Sequence, residues 1–244
     1  MKTKILRLTL LLVLFVPMFA FSQAEDVKWD YPVKPGTKEW NELKTEKERI
    51  NAVQIPDDVL DSMTTEDMVD ACINFPLFGY YSAFNTPQEG FNIMLASFNI
   101  FNKVCEMDHV GNYLTKIYED AGMSGWKKMG DKLDSEYWTL RLSYLEYFIA
   151  QKEVIYNLNP GEKIKLLKIA KTKLDQKRAH ESFNSIPGIG SSLLLMSRIL
   201  DSENALQGSL SEKENIRYFF ETGLLNDPEV ANEILRLTEL YVNQ

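Results

Sequence analysis

Apolar residues recur along most of the chain at intervals of three and four positions, the period of a helix with one buried face. The clearest example is the last segment, where Val230, Ile234, Leu237 and Tyr241 share one face. No convincing strand pattern occurs, although residues 153–158 are β-prone in isolation. The pattern therefore predicts an all-α fold, an irregular array of packed antiparallel helical hairpins.

Capping residues predict where several of these helices begin. Thr37 precedes the first helical segment. Thr64 or Thr65 precedes a segment with acidic residues in its first turn, and Thr86-Pro87 begins a further helix. Asp134 or Ser135 precedes a long helix over 136–158, which Asn159-Pro160-Gly161 ends.

One segment is apolar on two faces. Residues 91–102 carry no charge, and Phe91, Leu95 and Phe98 form one stripe while Ile93 and Ile100 lie opposite. A helix that is apolar on both sides is buried on both sides. The sequence thus predicts that residues 91–102 form the central apolar helix of the fold.

The first 24 residues have the order of a secretory signal peptide. Lys2, Lys4 and Arg7 precede an apolar run over 8–21, and small residues follow, with Ala24 at the predicted cleavage point. A retained membrane anchor is the alternative, but the run is short for a span of about 20 residues. We therefore expect export to the periplasm or the outside of the cell, with no integral membrane span after cleavage.

The mature chain divides into two parts. Pro32 and Pro35 keep residues 25–36 out of a helix, so this stretch is predicted to be an extended arm. Residues 37–244 follow as a single helical domain, the default for this length.

Charge limits the classes of partner. The chain has 27 basic and 35 acidic residues, a net charge of −8, and loss of residues 1–24 removes three bases and brings it to −11. Because such a surface repels phosphate backbones, nucleic acid is not expected as a partner. Another envelope or secreted protein is the expected partner class, and the oligomeric state stays open.

Cys72 and Cys105 are the two cysteines of the chain. Export permits a disulfide, but both residues lie on apolar helical faces. In a simple hairpin the second would lie about 25 Å along its helix, at 1.5 Å per residue. This arrangement predicts two buried free thiols, and a disulfide is the alternative if the segment over 76–85 changes the geometry.

No motif carries a recognisable chemistry. His109 and His180 are far apart in the sequence, and no metal-binding spacing, nucleophile elbow or phosphate loop is present. We therefore predict no catalytic residue, no metal site and no cofactor. The phrase SIPGIGSS, with Ser191 and Ser192 at a helix start, fits either an anion site or a capped turn. Likewise, the lysines over 163–178 fit either an acidic partner or a solvated helix face.

The aromatic cluster in NFPLFGYYSAFNTPQEGF, residues 74–91, raises the question of a binding surface. Phe75, Phe84 and Phe91 are predicted to be buried, which leaves Phe78, Tyr80 and Tyr81 around a break between helices. Trp29 and Tyr31 of the arm must also rest on something. Our hypothesis is one aromatic patch formed by those two groups, which is partly structural and is a candidate site for a ligand or partner; its five members are Trp29, Tyr31, Phe78, Tyr80 and Tyr81.

Three phrases of the first part of the chain carry a resemblance. WDYPVKPGTKEW, QIPDDVLDSMTTEDMVDACINFPL and NTPQEGF resemble a family of exported, all-helical proteins of Bacteroidetes-type bacteria, functionally uncharacterised, over residues 28 to 95. The resemblance implies export and a helical fold, and it transfers no catalytic residue.

Two classes of function remain. The first is a non-enzymatic binding or scaffold module of the cell envelope or the secreted fraction, since packed helical hairpins offer broad surfaces. The alternative is a hydrolase-like enzyme with a dispersed active site, which no local motif would reveal. A deep pocket with converging ionisable groups would favour the enzyme, and a shallow face with exposed aromatic residues would favour binding.

Overall fold

The protein is described by a computed structural model that covers residues 28–121, 135–179 and 186–243. The predicted signal peptide, residues 1–24, lies outside these ranges. Within them the regular structure is helical and contains no strand, which confirms the all-α prediction. No helix in these ranges combines the length and apolar character that a membrane crossing requires.

The helices follow one another with short joins, and one 3₁₀ turn at Tyr80–Ala83 lies between α4 and α5. In chain order they are α1 Lys38–Glu42, α2 Glu46–Ala52, α3 Asp57–Leu60, α4 Thr65–Ile73, α5 Pro87–Ser97, α6 Asn99–Cys105, α7 Val110–Asp120, α8 Ser135–Ile149, α9 Lys152–Ile155, α10 Pro160–Arg178, α11 Ile186–Ser202, α12 Gln207–Glu212, α13 Glu214–Thr222 and α14 Pro228–Val242.

The predicted caps act as expected. Thr37 accepts a hydrogen bond from the Trp40 amide at 3.2 Å, and Thr86 accepts one from the Glu89 amide at 3.0 Å. Of the two alternatives Thr64 and Thr65, Thr64 is the cap, in a reciprocal box with Asp67. The local sequence therefore determines these helix starts.

The continuous helix predicted over 91–102 is wrong. Phe98 is extended (φ −122°, ψ 118°), so α5 ends before it and α6 begins after it. The break is stabilised by the Gln54 side chain from the α2–α3 join, which accepts from the Asn99 backbone amide at 3.0 Å and donates to the Ser97 carbonyl at 2.7 Å. These bonds replace backbone bonds that the break removes.

The long helix predicted over 136–158 is also interrupted. Gln151 is extended between α8 and α9, and its side-chain amide donates to the Tyr147 carbonyl at 2.6 Å. A polar side chain thus satisfies a carbonyl that the end of α8 leaves without a partner.

The centre of the fold is formed by α8 and α11 rather than by residues 91–102. Helix α11 packs against α8, α9, α10, α13 and α14. From Ser191 to Leu200 only Arg198 is not fully buried, and residues 141–149 of α8 are buried throughout. In the 91–102 segment, by contrast, Asn92 is exposed. On α14, Val230 and Ile234 are buried as predicted, while Leu237 and Tyr241 are only partly covered.

Gly90 fixes the approach of the 3₁₀ turn to α5. A Cβ at this position would collide with the Tyr81 carbonyl oxygen. The glycine therefore allows the backbone around Tyr81 to lie directly on α5, and this contact carries the Tyr81 ring into the core.

The two cysteines are free and buried, as predicted. The helices that carry them, α4 and α6, pack against each other. Burial, and then the neighbouring Cys105, raises the pKa of the Cys72 thiol well above its ordinary value.

Candidate functional site

The five residues of the predicted aromatic patch do not share one surface. Tyr31 is 2% exposed and donates a hydrogen bond to the Ala71 carbonyl at 3.1 Å. Tyr81 is 5% exposed, with its ring 5.1 Å from that of Tyr147. Both are core residues, and burial raises the pKa of both phenols, so neither is available to a partner.

Tyr80 lies apart from the arm. Its ring packs on Phe84 and Phe98, and its hydroxyl donates to the Glu46 carboxylate at 2.5 Å. Burial and this carboxylate raise the pKa of Tyr80 to about 12. The single patch predicted from the sequence is therefore wrong, because the 3₁₀ turn directs Tyr80 toward α2 and Tyr81 toward α8.

Trp29 and Phe78, the remaining two, line one groove beside the arm. This groove, called the arm groove below, has a volume of about 610 Å³. One wall is the arm itself, and the other wall comes from the end of α4, the join after it and Arg141 of α8. Its lining residues are Lys28, Trp29, Asp30, Lys34, Pro35, Asp70, Asn74, Phe75, Pro76, Phe78 and Arg141.

The arm is held in place by Tyr31. Besides its bond to the Ala71 carbonyl, the Tyr31 ring packs edge-on against Phe75 at 5.7 Å and against Trp29 at 6.2 Å. Lys28 adds an ion pair with Asp70 of α4 at 3.4 Å. The arm therefore rests on the folded chain, as predicted. It lies on α4 and Phe75, however, and not beside Tyr80 and Tyr81.

Trp29, which lines the arm groove, has a hydrogen-bond donor without an acceptor. Its indole Nε1 is buried and has no hydrogen-bond partner. A buried donor without an acceptor costs about 1–3 kcal/mol. Most such groups in folded proteins find a partner, and in the part of the chain that the structure describes this one has none.

The opposite wall is aromatic and cationic. The Arg141 guanidinium lies 4.6 Å from the centre of the Phe78 ring, and Arg141 is 3% exposed. Stacking of this kind fixes the ring and the guanidinium in one orientation. The groove therefore combines a rigid aromatic surface with polar groups at its edges, the composition expected of a recognition site.

A second cluster has ionisable groups but no opening. Glu146 of α8, Lys177 of α10, and Ser191 and Ser192 of α11 are each 0% exposed. The Glu146 carboxylate accepts from Lys177 at 2.5 Å, from Ser191 at 2.5 Å and from Ser192 at 2.7 Å. Tyr118 of α7 donates to the same carboxylate at 2.7 Å. These five residues are called the polar cluster below.

Every polar group in the polar cluster has partners. The four donors saturate the two oxygens of Glu146, while Lys177 also donates to the Gly188 carbonyl at 2.8 Å and to Ser192 at 3.0 Å. Desolvation by burial lowers the pKa of Lys177, and the nearby Glu146 opposes that shift. Desolvation raises the pKa of Tyr118.

The polar cluster joins four helices instead of receiving a substrate. A serine beside a lysine and a carboxylate is a pairing found in nucleophilic sites, but here packing encloses each member fully. The two serines do not cap a turn, because they lie inside α11. The anion to which they donate is the Glu146 carboxylate of the chain itself. The sequence does not predict the Glu146–Lys177 pair, because the two residues lie 31 positions apart and no local pattern links them.

The other candidates from the sequence stay apart. His109 is exposed at the start of α7, where it adopts a left-handed conformation (φ 64°), and His180 lies outside the described residues. Of the lysines over 163–178, Lys163, Lys173 and Lys177 are buried rather than solvated. No group of three or more potential metal ligands occurs in the part of the chain that the structure describes.

Comparisons of the chain with protein-family models, curated proteins and solved structures returned no match. The role of the arm groove is therefore argued from its own geometry.

Proposed function

We propose that the protein is an exported, non-enzymatic helical binding module of the cell envelope or the secreted fraction, and that its arm groove holds another envelope or secreted protein. Export is supported by the signal-like order of residues 1–24. The binding role is supported by the arm groove, in which Trp29 and Phe78 combine aromatic contact area with charged residues at the rim.

The observation that carries the proposal is the Trp29 indole. Its ring is only partly covered, and its buried N–H has no acceptor. Aromatic side chains with one polar group are the residues that most often dominate protein interfaces. A partner in the arm groove would cover the part of this ring that the chain leaves exposed.

Photo-crosslinking from the edge of the arm groove tests the proposal. Benzoylphenylalanine replaces Lys28, whose side chain is 75% exposed on the rim, in cells that export the protein. The matched control places the same group at Tyr156, which is 62% exposed and lies outside the groove. We expect a discrete crosslinked protein from position 28 and none from position 156.

The variant Trp29→Ala tests whether the crosslinked partner occupies the arm groove. Because Trp29 does not carry the crosslinker, its substitution should remove the crosslink from position 28 only if the partner occupies the arm groove. Identical products from positions 28 and 156, or a crosslink that persists in Trp29→Ala, would contradict the proposal.

A further inference from the structure

A second groove lies between α13 and the join that leads to α14. Its volume is about 540 Å³, within the roughly 300–1,000 Å³ typical of ligand pockets. This groove, called the α13 groove below, shares no lining residue with the arm groove. Its lining residues are Glu214, Asn215, Tyr218, Leu224, Asn226 and Asp227.

One hydrogen bond joins the two walls of the α13 groove. Asn215 of α13 donates to the Asp227 carboxylate of the join at 2.6 Å, and the Glu229 backbone amide donates to the other oxygen of Asp227 at 2.9 Å. The bond from Glu229, and then the bond from Asn215, lower the pKa of Asp227. The carboxylate therefore stays ionised, and the walls are held in place before any ligand arrives.

The charge of the α13 groove is negative and is not balanced by the chain. Glu214 and Asp227 line it, whereas no lysine, arginine or histidine does. Within the described ranges neither carboxylate forms an ion pair, and Lys213, the residue before Glu214, pairs with Glu233 at 3.4 Å instead. A cation in the groove is therefore attracted by two carboxylates without competition from a lining base.

The ring of Tyr218 is exposed in the same groove. Tyr218 is 43% exposed, and in the part of the chain that the structure describes its hydroxyl makes no hydrogen bond and its ring contacts neither another ring nor a cation. Other rings of this chain do carry a cation: the Arg198 guanidinium lies 4.4 Å from the centre of the Phe220 ring, and the Lys163 ammonium lies 5.8 Å from that of Tyr156. Tyr218 thus offers a free ring face in a groove of negative charge, the combination that attracts a cation.

We propose that the α13 groove binds a small organic cation whose ammonium nitrogen carries alkyl groups, a site that goes beyond the proposed function. The Tyr218 ring attracts the positive charge through its π face, and the two carboxylates attract it through their full charges. Leu224 offers the alkyl groups an apolar contact. A hard inorganic cation uses neither the ring nor Leu224, because it binds through several oxygen ligands.

The hydrogen bonds of the lining favour an alkylated ammonium over the lysine side chain of a protein. A primary ammonium has three N–H donors and is strongly hydrated, so it needs acceptors in exchange for water. In the α13 groove, Asn215 donates to Asp227 and its carbonyl oxygen accepts from the Ile216 amide at 2.9 Å. An ammonium without N–H groups needs no such acceptor and keeps the attraction of the ring and the carboxylates.

Titration of the purified protein with choline, followed by nuclear magnetic resonance of the ligand methyl protons, tests this inference. The control ligand is 3,3-dimethylbutan-1-ol, which has the shape of choline and no charge. We expect choline to bind about tenfold more tightly than this isostere, because only choline gains the charge attraction. N-acetyl-lysine methylamide represents a lysine within a polypeptide and should bind more weakly than choline.

Surface variants locate the binding. Tyr218→Leu should weaken choline about two- to fivefold, the effect of one exposed cation–π contact, and Glu214→Gln should weaken it about fivefold. The matched control Tyr156→Leu alters a ring that is 62% exposed outside the groove and should leave binding unchanged. Circular dichroism should be the same for all three variants, since each replaced side chain is exposed.

Four results would each overturn the inference. They are no binding of choline, equal affinity for choline and its isostere, equal effects of Tyr218→Leu and Tyr156→Leu, and tighter binding of N-acetyl-lysine methylamide than of choline. The last result would assign the groove to a lysine of a protein partner. The crosslink from position 28 does not depend on any of these outcomes, because the two grooves share no residue.

Discussion

Replacement of Lys177 alone should lower the free energy of unfolding, because the polar cluster stabilises the fold only when all of its members are present. In Lys177→Met, the Glu146 carboxylate keeps its hydroxyl donors but loses its counter-charge in a site with 0% exposure. The loss of one partner from a buried ion pair typically costs about 3–5 kcal/mol. Since small proteins have about 5–15 kcal/mol of stability in total, this single change should remove a large share of it.

The double variant should cost less than its parts predict. Glu146→Gln alone leaves the Lys177 ammonium without a counter-charge, at a similar cost of about 3–5 kcal/mol. In the double variant neither charge remains, and the cost falls to imperfect hydrogen bonds of Tyr118 and the serines, about 2–4 kcal/mol. The double variant should therefore be more stable than the sum of the singles implies by about 2–8 kcal/mol.

Urea unfolding followed by far-ultraviolet circular dichroism measures each corner of this cycle. The matched control is the surface pair Lys171–Glu239, which lies at 3.0 Å with side chains 33% and 54% exposed. Its coupling should stay below about 1 kcal/mol. A coupling for Glu146 and Lys177 no larger than that of the surface pair would refute the reasoning.

A milder variant keeps the test valid if Lys177→Met does not fold. Ser192→Ala removes one donor from the Glu146 carboxylate and one acceptor from Lys177. The expected loss is about 1–3 kcal/mol. An unchanged free energy of unfolding for Ser192→Ala would show that the hydrogen bonds of the polar cluster do not matter for stability.

Four further predictions concern the core and the arm. Phe98→Ala, at 0% exposure, should cost about 3–5 kcal/mol and lower the melting temperature, whereas the same change at half-buried Phe84 should cost less; equal shifts would contradict the packing. Tyr31→Phe removes the bond to Ala71 and should cost about 1 kcal/mol in urea unfolding; no loss would mean that the arm is a free tail. Burial raises the pKa of the buried tyrosines, Tyr31 included, so unfolded chains lose phenolic protons near pH 10 while folded chains keep them. This stability is fully present below pH 10 and falls as the pH rises further, and absorbance at 295 nm should show these phenols ionising only on unfolding; free titration of every tyrosine near pH 10 would contradict it. Alkylation should label neither Cys72 nor Cys105 in the folded protein and both after unfolding without reductant; no label after unfolding would establish a disulfide.

Much of the helical content could be predicted because its causes are local. Thr37, Thr64 and Thr86 cap helices through bonds that reach only three residues along the chain. The spacing of Val230 and Ile234 likewise specifies a buried face without knowledge of its neighbours. A periodic pattern and a capping residue are enough for such elements.

The aromatic patch could not be predicted because neighbours in sequence face different parts of the fold. Tyr80 and Tyr81 are adjacent, yet one hydroxyl reaches Glu46 and the other ring packs on Tyr147. The two side chains diverge because the 3₁₀ turn lies directly on α5, a close approach that Gly90 permits. Trp29 and Phe78 were found by their aromatic character, but their shared groove with Arg141 depends on how α4 and α8 pack.

The sequence by itself determined the helical class and the helix starts at Thr37, Thr64 and Thr86, since each follows from short-range bonds or from side-chain character. The tertiary structure decided the breaks at Phe98 and Gln151 and the position of the polar cluster. Gln54 replaces backbone bonds at the Phe98 break from more than 40 residues away, and Glu146 meets Lys177 only after α8 and α10 have both packed against α11. Long-range polar contacts leave no periodic trace in a sequence, because the chain between the partners is free to take any course that the core permits.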